Sequence, residues 1–290
     1  MRRLLSILFL MCVACRCEAG SVTRADYEKV LANLDDEARL QEFLDKLPTV
    51  ETGGTTKRIY YVLEGDLRLT REEVRARLYS YASSPSVTQA QGAGSEELYV
   101  MMKAGVLAKW PKGKRALSYA IERASFPTPD HYQQLVDNFV KAAADWVSVC
   151  NCDLSFSHLA QYDDNPSLGV VTFVVKFVPG DRRFIALGFF PTDPIDQRYL
   201  HILEPYFTNK TYDKVGMLRH EIGHILGYRH SHIGGVAGCE YYEETDKDWE
   251  ALSTYYWQSV MHYPCGKASG STDFALSDRD KADHSKFYSD

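Results

Sequence analysis

Residues 219–230 read Arg-His-Glu-Ile-Gly-His-Ile-Leu-Gly-Tyr-Arg-His. Apolar side chains recur in and just before this stretch at the spacing of one helical face, at Val215, Leu218, Ile222, Ile225 and Leu226. The spacing predicts a helix with one side buried. His220 and His224 are four residues apart, so both imidazoles lie on the same face of that helix, close enough to bind a single ion.

A third histidine follows the predicted end of this helix. Gly227 tolerates the left-handed backbone conformation that ends many helices, so the chain can fold back and bring His230 to the other two. Three neutral imidazoles leave one position of a zinc ion open to water, which is the arrangement of catalytic rather than structural zinc. Glu221, beside the first ligand, can then act as general base toward that water.

The order and spacing of these residues are specific. A shuffled chain of this composition would contain H-E-x-x-H-x-x-G-x-x-H on the order of once in ten thousand trials or fewer. The alternative is a helix whose histidines merely pack against solvent or core. A second motif, Ser-Val-Met-His-Tyr-Pro at residues 259–264, has the form of the turn beneath the zinc in metzincins. Through these two motifs, residues 110–290 resemble the metzincin clan of zinc endopeptidases.

The resemblance implies an α+β fold, with a mixed twisted sheet, two long helices above a cleft and an irregular lower subdomain that ends in a helix. It implies one catalytic Zn²⁺ on His220, His224 and His230, and structural calcium is not indicated. Met261 would form a hydrophobic floor without chemistry of its own. The resemblance does not select one family, because Ser231 follows the matrixin pattern and residues 262–263 follow the astacin pattern.

Tyr263 and one strand complete the predicted site. In astacins and serralysins the equivalent tyrosine hydrogen-bonds the tetrahedral intermediate, and a phenolic hydroxyl is a suitable donor for that role. The alternative is a tyrosine that only packs. Residues Ala186, Leu187, Gly188 and Phe189 resemble the antiparallel edge strand with which matrixins bind an extended substrate through the main chain. For Phe189 and Phe190, core packing is an equally weighted alternative.

The N-terminus has the features of a secretory signal peptide over residues 1–19, namely Arg2 and Arg3, an apolar run and a small residue at Ala19. The expected location is therefore secreted, periplasmic or extracellular. The alternative is a lipoprotein acylated at Cys15. The apolar run is too short for a permanent membrane-spanning helix, so no stable membrane span is expected.

Four cysteines follow the predicted signal peptide, and an even number in an exported chain indicates disulfide bonds. Cys239 is expected to pair with Cys265, because these two residues enclose the segment between the third histidine and the methionine turn. Cys150 and Cys152 would close a strained ring. They are therefore expected to pair poorly or stay reduced.

Composition sets only broad limits. A formal net charge of -6, with 45% hydrophobic and 25% charged residues, is typical of a soluble globular protein. No basic stripe indicates a nucleic-acid partner. The expected partners are protein or peptide substrates, and a monomer is expected.

The chain divides into a signal peptide (1–19), a propeptide with its linker (20–95) and a catalytic domain (96–290). Residues 27–47 form a charged amphipathic segment, and the low-complexity residues 83–95 form the linker in which a propeptide would be cut. Strands are predicted at 58–63, 115–121, 154–158, 170–178 and 184–190. Helices are predicted at 70–81 with a Thr70–Glu73 capping box, from Thr128-Pro129 to about 149, and near the C-terminus after Ser277.

Latency is predicted from Leu-Glu-Gly-Asp at residues 63–66. Matrixin propeptides block zinc with a cysteine, but no cysteine lies between Ala19 and Val149. The stretch resembles the Phe-x-Gly-Asp motif of astacin propeptides, which implies that Asp66 displaces the catalytic water, with Glu64 as the second choice. The alternative is a simple turn at Gly65-Asp66.

The predicted function is therefore a secreted zinc endopeptidase, made as a zymogen, with Glu221 as general base. Two other classes stay open. One is a non-catalytic peptide-binding module, which would not need Glu221. The other is a zinc-stabilised structural protein, for which His262 or Cys265 could supply a fourth strong ligand.

Overall fold

The computed structural model describes residues 22, 24–52, 58–63, 67–82, 99–103, 105–179, 182, 184–232, 249–252, 256–265 and 270–289. Its helices are α1 Arg24–Leu31, α2 Glu37–Lys46, α3 Arg71–Ala82, α4 Pro129–Ser148, α5 Glu204–Thr208, α6 Lys214–Ile225 and α7 Asp278–Tyr288. Its strands are β1 Thr49–Thr52, β2 Arg58–Leu63, β3 Leu67–Leu69, β4 Tyr99–Lys103, β5 Val106–Leu107, β6 Ala116–Ile121, β7 Ser155–His158, β8 Phe173–Phe177, β9 Ala186–Leu187, β10 Tyr199–Ile202 and β11 Trp249–Ala251. The mixed α+β class is confirmed.

The main sheet has five strands in the order β7-β6-β8-β10-β9. Strands β6, β7, β8 and β10 run parallel, whereas β9 pairs antiparallel with β10 and lies at the edge. Helix α4 begins as predicted, with Thr128 Oγ1 accepting from His131 N at 3.2 Å and Pro129 in the first turn. Helices α4 and α6 pack together, and Trp146 Nε1 of α4 donates to the carbonyl of Arg219. Two long helices thus lie together, as expected.

The N-terminal unit, defined as the described residues between 24 and 82, packs around an apolar cluster that also includes Met101, Ala108 and Phe190 from outside it. Helices α1, α2 and α3 pack with the small sheet β1-β2-β3. Its buried side chains include Leu40, Phe43, Leu44, Val74 and Leu78. Residues 27–47 form two helices rather than one continuous segment. The Asp36 side chain caps the amides of Ala38 and Arg39, which begins a second helix.

Strand β4, which has no counterpart in the predicted elements, is built into the rest of the fold. Met101 N donates to the carbonyl of Gly227, and Arg229 N donates to the carbonyl of Tyr99, both at 2.8 Å. On its other side β4 pairs with β11. The segment just after the predicted linker therefore supports the chain that follows α6.

The predicted strands 58–63 and 115–121 and the helix 70–81 are confirmed to within one residue. Thr70 and Glu73 form the predicted capping box. The predicted strands at 170–178 and 184–190 are shorter, at Phe173–Phe177 and Ala186–Leu187. Flanking residues such as Val171, Phe189 and Phe190 are buried outside the ladder, whereas Val170 is exposed. A run of apolar residues does not distinguish these cases from strand.

Cys150 and Cys152 are not reduced in the structure, contrary to one of the two expectations for them. They form a disulfide bond with a Cα–Cα distance of 5.3 Å, which lies within the range that such a bond requires. Cys265 is also disulfide-bonded. Its predicted partner, Cys239, lies outside the described residues, so that pairing stays a prediction.

Within the described residues, no helix combines the length and the apolar character that crossing a membrane would require. The predicted signal peptide at residues 1–19, Cys15 included, lies outside the part of the chain that the structure describes.

Candidate metal centre

Helix α6 carries the first two histidines and ends in a turn that only glycine can make. Asp213 caps its start by accepting from Gly216 N at 2.6 Å. Gly227 follows its end with φ of +99°, and a Cβ there would collide with the carbonyl oxygen of Ala108. The chain then turns back toward the helix.

The turn brings His230 to His220 and His224. One ring nitrogen from each of the three lies within 4.8 Å of the others, and the Nε2 atoms of His220 and His230 are 3.2 Å apart. All three residues are buried, with relative exposures of 2–4%. The group could hold a metal ion.

The hydrogen bonds of two of these imidazoles fit a metal. Nδ1 of His220 lies 2.8 Å from the carbonyl of Val260, and Nδ1 of His224 lies 2.7 Å from the carbonyl of Tyr228. A carbonyl only accepts, so each Nδ1 carries a proton, and in the neutral form each ring then has its lone pair on Nε2. A carbonyl partner on the outer nitrogen is the usual way in which metal-ligating histidines are oriented.

Glu221 lies beside these histidines and directly against the chain that follows strand β9. A Cβ at Gly188 would be 3.1 Å from Glu221 Oε2 and 3.1 Å from His224 Cβ. A side chain at position 188 would therefore press against the Glu221 carboxylate and His224. Glu221 itself is only 5% exposed.

The predicted methionine turn lies beneath helix α6. A Cβ at Gly223 would collide with Met261 Sδ, so the sulfur fills the space that this glycine leaves. The turn also binds the site directly, because Val260 accepts from His220 and Met261 O accepts from Ser231 N at 3.0 Å. Met261 is fully buried, which fits a role as a floor.

The buried carboxylate of Asp280 anchors this turn. The sequence analysis did not predict this contact. Asp280 accepts from Ser259 Oγ at 2.6 Å and from Val260 N at 2.9 Å. It also accepts from the amide and the hydroxyl of Ser277 in the predicted cap of α7. Burial raises the pKa of Asp280, and these hydrogen bonds act in the opposite direction.

Tyr263 lies against the histidines. Its ring stacks on that of His220, with a centroid distance of 5.1 Å and an interplanar angle of 20°, and lies 4.5 Å from that of His230. The side chain is only partly buried. The structure thus brings Tyr263 to the metal-binding group, and its proposed hydrogen bond to an intermediate stays a prediction.

The predicted substrate strand divides into two environments. Ala186 and Leu187 form the antiparallel edge strand and face Ile202 and His201 across the ladder. Phe189 is buried in the core, 5.5 Å from the ring of Phe173. The side chain of Phe189 therefore packs in the core, which was the alternative prediction. Only its main chain could contact a substrate at this edge.

The residues considered for a fourth ligand form a separate group. His262 and Cys265 come together with His232, next to the three-histidine group. Cys265 is disulfide-bonded, so its sulfur is not a thiolate ligand. Burial lowers the pKa of His262, and its Nδ1 lies 2.5 Å from the carbonyl of Tyr263. Because Cys265 is paired and His262 groups with His232 rather than with the three histidines, neither residue is placed to close the three-histidine group as a fourth ligand.

Asp66 and Glu64 lie outside the described residues, so the predicted latency ligand stays a prediction. Two residues further on, Arg68 is described, and sequence reasoning missed it. Its guanidinium reaches the carbonyl oxygen of Gly188, 120 residues away in the chain. No local pattern indicates such a contact.

Neither a family model nor a curated protein matches the sequence. Among solved structures, the chain is similar to myroilysin, with 16% sequence identity and a TM-score of 0.47. The match covers 66% of this chain and 98% of that one. At this level the similarity concerns the fold alone, and no site residue is carried over from it.

Proposed function

We propose that the protein is an exported, zinc-dependent endopeptidase that hydrolyses peptide bonds of extended protein substrates. The observation that carries the proposal is the orientation of the imidazoles. Main-chain carbonyls hold the outer nitrogens of His220 and His224, so that the inner nitrogens converge with that of His230. Imidazole nitrogens suit Zn²⁺, and three of them leave a position open.

The zinc, when bound, supplies Lewis acidity to the scissile carbonyl and to the attacking water. Glu221 takes a proton from that water and later passes it to the leaving amine. The Tyr263 hydroxyl donates a hydrogen bond to the oxyanion that develops in the transition state. The main chain of residues 186–189 binds the substrate as an added strand.

We further propose that residues 1–19 direct export and that residues 20–95 form a propeptide with Asp66 as the latency ligand. Burial supports latency, because the three histidines and Glu221 are at most 5% exposed in the full chain. Packing supports it as well. Phe190 lies in one apolar cluster with Leu63 and Leu69 of the N-terminal unit, and its ring is 5.5 Å from that of His224.

The experiment that tests this function is the substitution Glu221→Gln. The protein is nicked between residues 83 and 95, and its zinc content and its cleavage of a denatured protein are measured. The variant should keep about one zinc per chain, because the ligands are unchanged, and kcat/KM should fall by about a thousandfold or more.

A matched control is Glu204→Gln, which removes only a surface ion pair with Arg182. It should leave both quantities unchanged. An activity of Glu221→Gln within tenfold of the wild type would show that this carboxylate is not the base.

A further inference from the structure

Arg68, on strand β3 of the N-terminal unit, places its guanidinium in a recess of the main sheet. Nε and Nη2 donate to the carbonyl of Gly188 at 3.2 and 3.0 Å. Nη2 also donates to the carbonyls of Tyr199 at 2.5 Å and Gln197 at 3.4 Å. Nη1 lies 3.3 Å from Nδ1 of His201. These three carbonyls and this ring nitrogen are called the arginine recess below.

The arginine recess offers acceptors only. An arginine side chain has no acceptor, so Nδ1 of His201 must accept and its proton must lie on Nε2. Burial, followed by the charges of Arg68 and Lys176, holds the pKa of His201 well below its ordinary value. The ring is therefore neutral and can face a cation. Four acceptors spread over Nε, Nη1 and Nη2 suit the fork of a guanidinium better than the compact head of a lysine.

Carboxylates near the recess partly offset the burial of the Arg68 cation. Burial lowers the pKa of Arg68, whereas Asp193, Tyr60, Glu221 and Glu73 act to raise it. One of these groups, Glu221, is the proposed general base. The recess is thus within electrostatic reach of the catalytic carboxylate.

The recess belongs to the main sheet rather than to the N-terminal unit. Tyr199 and His201 lie on β10, and Gln197 ends the short 3-10 turn of Ile195–Gln197 just before it. Gly188 directly follows the edge strand β9, which pairs with β10 at Leu187 and His201. Because Tyr199 and His201 lie on the paired strand β10 and Gly188 directly follows the paired strand β9, the recess should persist when Arg68 is absent.

The recess also touches the proposed substrate path. Gly188 contributes a carbonyl to it and at the same time lies against Glu221 and His224. An extended peptide bound along residues 186–189 would run past the recess. The N-terminal unit covers part of the same edge strand, because Val50 and Val62 pack with Leu187 and Phe184.

We propose that the arginine recess is a specificity subsite of the peptidase cleft, and that Arg68 occupies it in the full chain as a substrate side chain would. The inference rests on the proposed function. It names the substrate class as peptides with an arginine close to the scissile bond. It also makes Arg68 an anchor of the N-terminal unit in the cleft.

The first test measures binding rather than catalysis. The full-length variant Arg68→Ala is heated with and without 10 mM ethylguanidinium, a concentration of roughly the order needed for a single-group ligand. The ligand should fill the emptied recess and raise Tm by about 3 °C, and ethylammonium should raise it by less than half as much.

The controls are the wild type and Arg71→Ala. Arg71 lies in the same unit and bonds Glu37 and Gln41 at the surface, so its loss leaves the recess filled. Neither protein should respond to ethylguanidinium. If Arg68→Ala does not fold, Arg68→Gln replaces it. An equal response of variant and wild type, or an equal response to the two ligands, would overturn the inference.

The second test separates this inference from the proposed function. The wild type is nicked between residues 83 and 95 and separated from its N-terminal unit, which would otherwise keep Arg68 in the recess. It is then given matched peptides that carry arginine, lysine or neutral citrulline at each position in turn. At one position, arginine should exceed lysine in kcat/KM by about tenfold or more. Cleavage without this preference overturns the subsite even if ethylguanidinium binds. Absence of all cleavage overturns the proposed function, while the melting experiment still decides the recess.

Discussion

At the scale of single residues, the site is fixed by side chains that act on one another's orientation. His220 and His224 each use one nitrogen to hold a main-chain carbonyl, which leaves the other nitrogen for a metal. Gly223 has no side chain, and Met261 Sδ lies where its Cβ would be. A Cβ at Gly188 would press against Glu221 Oε2 at 3.1 Å. The glycines therefore belong to the site as much as the ligands do.

Tyr263→Phe tests a single hydroxyl group at this scale. The substitution keeps the ring that stacks on His220, so zinc content and Tm should not change. Loss of the hydrogen bond to the developing oxyanion should lower kcat by about tenfold to a thousandfold, with little change in KM. Steady-state kinetics of the nicked protein provide the measurement.

The control for Tyr263→Phe is Tyr256→Phe, whose hydroxyl bonds Gln258 at the surface and should not affect kcat. An unchanged kcat for Tyr263→Phe would assign that residue to packing alone.

The sequence predicts residues of the site well where they are neighbours in the chain. His220, Glu221, His224 and His230 follow from spacing along one helix and one turn. Arg68, His201 and Asp280 do not, because their contacts join segments more than 15 residues apart and no periodic pattern records them. Phe189 shows a further limit, since an apolar residue near an edge strand can equally face the core.

At the scale of elements, caps are the most predictable features, because a capping residue and its amide are three residues apart. Thr70, Thr128 and Ser277 each begin a helix as predicted. Short strands are the least predictable. Strand β11 pairs with β4, and β4 pairs in addition with β5 and, at Val100, with Tyr228. Pairing of this kind is tertiary information.

Asp280→Ala tests how helix α7 supports the methionine turn. The variant removes the acceptor for Ser259 and Val260 and leaves a buried amide without its partner, so unfolding free energy should fall by about 2–4 kcal/mol. Urea unfolding of the full chain, followed by circular dichroism, measures the change.

Ser277→Ala is the comparison for Asp280→Ala, because it removes only the cap of α7 and should cost about 1 kcal/mol. Equal losses for the two variants would mean that Asp280 stabilises its own helix and not the turn under the metal centre.

At the scale of the whole molecule, the N-terminal unit and the main sheet are joined at the proposed cleft. Arg68 reaches the arginine recess, and Leu63 and Leu69 cluster with Phe190. Composition and the linker at residues 83–95 predict a separate segment, but they cannot predict which surface it covers. The choice of surface depends on apolar and polar contacts between residues that are far apart in the sequence.

In the proposed function, His220, His224 and His230 hold one zinc ion on which peptide cleavage depends. The nicked protein is stripped with a chelator and titrated with Zn²⁺ while cleavage of a denatured protein is followed. We expect activity to vanish on stripping and to return in proportion to zinc up to about one equivalent per chain.

In the same titration, His224→Ala should bind less than about a tenth of an equivalent and stay inactive, because two imidazoles do not complete the site. His131→Ala, a substitution on helix α4 next to Phe207, should behave as the wild type. Full activity of the stripped protein, or one equivalent of zinc retained by His224→Ala, would contradict the claim.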